Sequence, residues 1–80
     1  MTRFGIYIDE RFVDKDLLAR KTGFSGTRIK ELVEDEGSNL KAKEIYLVAL
    51  AIGVDPGDLL KFVFEDTTLP DIPELKVSGA

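Results

Sequence analysis

Thr27, Arg28, Lys30 and Glu31 are the residues whose types and spacing could do chemistry. Cations and hydroxyls recurring at helical intervals suit non-covalent recognition of an anionic partner, not bond making. The chain has no cysteine and no histidine, which removes most transition-metal sites and most nucleophile–base pairs. Asp14 and Asp16 are the only acids that invite a catalytic assignment. They lie at the start of an expected helix, where capping and the helix dipole account for both. No enzymatic activity is expected, and no cofactor.

The charge pattern narrows where an anion could bind. Net charge is −4 with a pI near 4.7. Residues 1–33 hold seven Lys/Arg against five Asp/Glu, whereas residues 34–80 hold four against ten. A polyanion-binding surface therefore belongs to the first half.

The elements that must position those residues follow from caps and periodicity. Asp14 is a good N-cap for a helix carrying Leu17, Leu18 and Lys21, and Thr22-Gly23 stops it. Phe24 is an apolar plug. Ser25 caps a second helix that buries Ile29, Leu32 and Val33 and turns Thr27, Arg28, Lys30 and Glu31 outward. Two short helices joined by a glycine turn form a helix-turn-helix unit. Upstream, Arg3 to Glu10 is expected to be a short helix with Phe4 and Ile8 inward, although the alternation Phe4, Ile6, Ile8 fits a strand about as well. Arg11-Phe12-Val13 turns the chain, and Phe12 or Val13 staples the next helix from its N′ side.

Downstream, Glu34 to Asn39 is a polar loop with three consecutive acids. Its oxygens and Gly37 do not fall in the register of a calcium-binding EF-hand loop, so a solvated loop is the expectation. Lys41 to Ile52 is a helix with Ile45, Val48, Ala49 and Ile52 facing the core, ended by Gly53. Its opposite face, Tyr46, Leu47 and Leu50, is apolar too and calls for a cover. Asp55-Pro56 opens a last helix through Leu59, Leu60, Phe62, Val63 and Phe64. Beyond Glu65, Pro70 and Pro73 forbid a continuous helix while Leu69, Ile72, Leu75 and Val77 recur. The expected organisation is one helical domain over residues 1–64 and an extended arm over 65–80. Tyr46, Leu47, Leu50, Phe62 and Phe64 form the surface that a second copy or the arm would cover.

In size the chain suits one small domain that relies on tight helical packing or a partner. Its longest apolar run, Ile45 to Ile52, is too short to span a bilayer. With no basic-then-apolar opening stretch, no signal peptide is expected and the location is read as cytoplasmic.

Taken in order, these motifs resemble the lambda-repressor/Cro type of helix-turn-helix, the XRE family. The resemblance rests on Leu18-Ala19-Arg20-Lys21-Thr22-Gly23-Phe24-Ser25, on Ile29 and Leu32, and on Val48-Ala49-Leu50-Ala51-Ile52-Gly53-Val54-Asp55 followed by Leu59. It implies an all-α, compact five-helix lambda-repressor-like bundle and a transcriptional regulator of double-stranded DNA that acts as a homodimer. It also implies a recognition helix at about 26–34 in the major groove. Lys15 takes the place of a phosphate-binding glutamine, and Ser25 and Thr27 supply hydroxyls to phosphates. Arg28 is the expected base reader, its planar fork matching guanine O6 and N7. Glu31 would accept from cytosine N4 or hold Arg28, and Lys30 would touch backbone. Gly26 stands where relatives often carry a long polar side chain. Together with Glu34-Asp35-Glu36 it implies modest affinity and a small salt dependence. The same fold as a protein-interaction module, antitoxin-like or an accessory subunit, is the alternative.

Overall fold

Thr2 begins the structure by joining the start of the chain to a segment about thirty residues on. It N-caps the first helix, accepting from the Gly5 N–H at 2.9 Å, and its hydroxyl donates toward the carbonyls of Leu32 (2.6 Å) and Val33 (2.9 Å). Its own N–H donates to the Val33 carbonyl at 2.9 Å. The computed structural model describes residues 1–70. Among them it forms five helices and no strand: α1 (Arg3–Glu10), α2 (Lys15–Thr22), α3 (Gly26–Glu34), α4 (Ala42–Ile52) and α5 (Pro56–Val63).

The strand alternative for the first segment fails for a stated reason. A helix buries Phe4, Tyr7 and Ile8 on one face, whereas alternation would have buried Ile6, which is exposed. Gly5 lets α1 approach the end of α3, since a Cβ there would stand 2.5 Å from the Val33 carbonyl oxygen. Between α1 and α2, Phe12 adopts a left-handed backbone (φ 54°) and is 93% exposed. Val13, partly buried against the core, is thus the staple for α2.

α3 packs on α1 and α2, α4 packs on α2 and α5, and α5 closes against α1. The core holds Phe4, Tyr7, Ile8, Leu18, Ile29, Leu32, Val33, Ile45, Val48, Ala49 and Leu59. Both interior helix ends at glycine are left-handed, Gly23 at φ 81° and Gly53 at φ 76°, as the stop signals require. Asp55 caps α5 through the Gly57 N–H at 2.6 Å, with Pro56 opening the helix.

Phe62 departs from the expected surface set. Its ring meets Tyr7 edge-on with centroids 5.3 Å apart, and the Arg3 guanidinium lies 4.4 Å over it. Arg3 also donates to the Phe62 carbonyl at 2.6 Å and pairs with Glu65, so Phe62 belongs to the interior seam between α1 and α5. After α5 the chain turns at 64–66 and continues without helix to Pro70, with Leu69 exposed. The expected arm residues Ile72, Leu75 and Val77 lie outside the described residues.

Candidate nucleic-acid interface

The α2–turn–α3 unit is assembled by local hydrogen bonds. Asp14 Oδ1 accepts from the N–H groups of Asp16 (2.9 Å) and Leu17 (3.2 Å) at the start of α2. Ser25 Oγ accepts from the Arg28 N–H at 3.0 Å at the start of α3. The Thr22 hydroxyl donates back to the Leu18 carbonyl at 2.8 Å and accepts from the Phe24 N–H at 3.3 Å, which tightens the turn. With Ile29, Leu32 and Val33 buried, α3 leaves Gly26, Thr27, Lys30, Glu31 and Glu34 exposed.

Three of the residues singled out by sequence come together. Lys15, Gly26 and Lys30 line one groove of about 330 Å³ between the start of α2 and the outer face of α3, alongside Asp16 and Glu34. A Cβ added at Gly26 would meet nothing within 4 Å, so the groove has room for a side chain there. Thr27 and Glu31 lie beyond it, against a shallower depression that Lys30 shares. Two helix starts and an exposed helix face thus form a continuous surface on which peptide N–H dipoles favour anions.

The electrostatics are less one-sided than the residue types imply. Lys15 Nζ lies 3.2 Å from Asp9 Oδ1, with both side chains about half exposed. Lys30 has no ion pair among the described residues. Around it stand Asp16, Glu31 and Glu34, so the face carries cations and acids in near balance.

Arg28 is the main departure. Its Nε donates to Glu44 Oε2 and its Nη2 to Glu44 Oε1, both at 2.8 Å, which is a fork-to-carboxylate pair. Nη2 also donates to the Asn39 carbonyl at 2.6 Å, and Nη1 to Glu31 Oε2 at 3.3 Å. Four of its N–H donors are therefore committed inside the molecule, and the side chain is only 25% exposed. The expectation that Arg28 projects its fork outward is replaced by an intramolecular clasp. Glu44 completes it by also accepting from the Lys41 N–H at 2.8 Å, at the start of α4. The Arg28 hydrogen bond, seconded by the Lys41 N–H, holds the Glu44 carboxyl below its ordinary range against the opposing effect of burial. In return Glu44 holds the guanidinium proton more firmly than usual.

Sequence reasoning missed Glu44, Asn39 and Thr2. Thr directly before a helix was a readable cap signal. Glu44 lacked one, because Lys41 is not a capping residue type. On α4, Tyr46 and Leu50 are exposed one turn apart, with Leu47 half-buried beside them. Leu60 on α5 and Phe64 just past its end are also exposed.

A family model described as the Cro/C1-type helix-turn-helix DNA-binding domain matches residues 4–65, a span that contains all five helices except the first residue of α1. No curated protein and no solved structure matches the chain.

Proposed function

Because the chain belongs to the family of Cro/C1-type helix-turn-helix DNA-binding domains, we propose that it is a sequence-specific regulator that lays α3 in the major groove of double-stranded DNA. The observation that carries this reading is the shared groove of Lys15, Gly26 and Lys30, which joins the start of α2 to the exposed face of α3. Lys15 exchanges its Asp9 partner for a phosphate, and the Thr27 and Ser25 hydroxyls add phosphate contacts that fix register. Lys30 and Glu31 are the long side chains left to meet base edges, Lys30 at guanine O6 or N7 and Glu31 at cytosine N4.

Homodimerisation is part of the proposal. Two copies place their α3 helices about 34 Å apart on one side of the duplex. Tyr46 and Leu50, with Phe64 at the end of α5, supply the apolar surface for the contact. With Lys15 the cation that each protomer sets on phosphate, log affinity falls against log salt with a slope of about −2 for the dimer.

Selection of bound duplexes from a random pool, followed by titration of the enriched duplex, tests the reading. An enriched sequence is the expected result, with Lys15→Ala lowering the salt slope by about 1 per protomer and Lys30→Ala relaxing the preference at one base pair. The acids Asp16, Glu31 and Glu34 beside Lys30 favour a second reading, in which the same face receives a basic protein surface. No enrichment of any duplex over a scrambled control would overturn the DNA reading in favour of that one.

A further inference from the structure

We infer that Arg28 is a positioning residue for DNA recognition, which sets the angle of α3 through Glu44 and Asn39 and does not itself read a base. The inference rests on the DNA-binding reading above and names the residue that holds its reading helix in place. α3 packs closely on α1 and α2, whereas none of its Cα atoms comes within 8 Å of one in α4, the helix that follows it. The link from the start of α3 to the start of α4 is the Arg28 guanidinium. It spans both oxygens of Glu44 and the Asn39 carbonyl, at distances between 2.6 and 2.8 Å.

The positions on the two helices explain why this pair is rigid. Ser25 caps α3 and Lys41 caps α4, so Arg28 and Glu44 each stand three residues inside their helix. Two helix starts brought side by side oppose their positive dipole ends. Glu44 places a carboxylate between them and is fixed from both directions, by the Arg28 fork and by the Lys41 N–H. The connecting loop is closed by its own bonds, Gly37 N–H to Asp35 Oδ1 at 2.8 Å and Ser38 N–H to the Asp35 carbonyl at 3.0 Å. Arg28 then pins the far end of this loop at Asn39. A side chain so committed cannot also reach a base edge without dismantling the junction that orients Thr27 and Lys30.

The full chain and its enriched duplex, with every single-base-pair variant of that duplex, test this. Arg28→Ala is expected to weaken binding about tenfold, by the same factor for every duplex variant, with an unchanged salt slope. Glu44→Ala is expected to do the same, and the double variant to bind no worse than either single one, because both changes break one junction. Lys30→Ala, by contrast, alters the preference profile. Flattening of the preference at one base pair by Arg28→Ala would overturn the inference, as would tighter binding by Glu44→Ala. If Arg28→Ala does not fold, Arg28→Lys keeps the charge without the fork and is expected to give the same uniform weakening at a smaller factor; a change confined to one base pair would overturn it. If the wild-type chain binds no duplex, the DNA reading fails. The junction is then judged by hydrogen exchange, where the Lys41 and Ser38 amides are expected to exchange faster in Arg28→Lys; unchanged protection there would remove Arg28 from the positioning role.

Discussion

Replacing Thr2 by valine isolates the hydrogen bonds that fasten the beginning of the chain to the end of α3. Valine keeps the branched shape and loses only the hydroxyl. Two groups are then left without partners: the Gly5 N–H, buried in the first turn of α1, and the Leu32 carbonyl near the end of α3. The Val33 carbonyl keeps its bond from the Thr2 N–H. Loss of an N-cap costs about 1 kcal/mol, and a stranded buried acceptor about 1–2 kcal/mol. The expected destabilisation is therefore about 2–3 kcal/mol, against a total of about 4–12 kcal/mol for a chain of this length. In a domain of this size that lowers Tm by about 10–20 °C. Thermal melting followed by helical circular dichroism reads it directly, with Thr2→Ser as the control that restores the hydroxyl and most of the stability. A Thr2→Val melt within about 3 °C of wild type would refute the reasoning. Deletion of residues 1–2 is expected to cost at least as much as the valine.

Gly5→Ala should destabilise by about 1–3 kcal/mol, since the new methyl meets a backbone oxygen that cannot move aside; urea denaturation checks it. Gly26→Ala meets open space at an ordinary backbone angle and should stabilise by up to about 1 kcal/mol. Gly26→Gln should in addition tighten DNA binding in the titration described above, by offering the groove a long polar side chain. Acid unfolding should show the Glu44–Arg28 pair. The folded-state pKa of Glu44 is lowered from 4.5, so its stabilisation is fully present above about pH 4.5 and disappears as pH falls through the lower folded value. Glu44→Gln should remove that part of the pH dependence when stability is measured by urea between pH 2 and about 6.

Much of the fold was written in nearest neighbours, and those parts were legible. Asp14, Gly23, Ser25, Gly53, Asp55 and Pro56 act on backbone within three residues, so their meaning does not depend on how the rest of the chain folds. The exposed face of α3 follows from the same local logic, because burying Ile29, Leu32 and Val33 leaves only one direction for Thr27 and Lys30. Arg28 defeated this approach. Its partner lies 16 residues away, and helical phase can assign a side chain to a sector of surface without revealing a carboxylate brought there by the next helix. Phe62 failed for a related reason. In the run Phe62-Val63-Phe64 periodicity does not say which ring turns inward; Tyr7 and Arg3, supplied from the other end of the chain, decide it.

The two tyrosines sit in opposite surroundings, and the chain has no tryptophan to mask them. Tyr7 is 2% exposed, between Phe62 and the Arg11 guanidinium 3.5 Å above its ring, while Tyr46 is 54% exposed on the outer face of α4. Ultraviolet emission therefore divides into an interior lamp and an exterior one, and an aqueous quencher such as iodide extinguishes only the second. The proposed contact of two copies through α4 would shield that accessible fraction of the light. Unlabelled protein thus carries its own optical gauge of self-association, independent of whether the interior has melted.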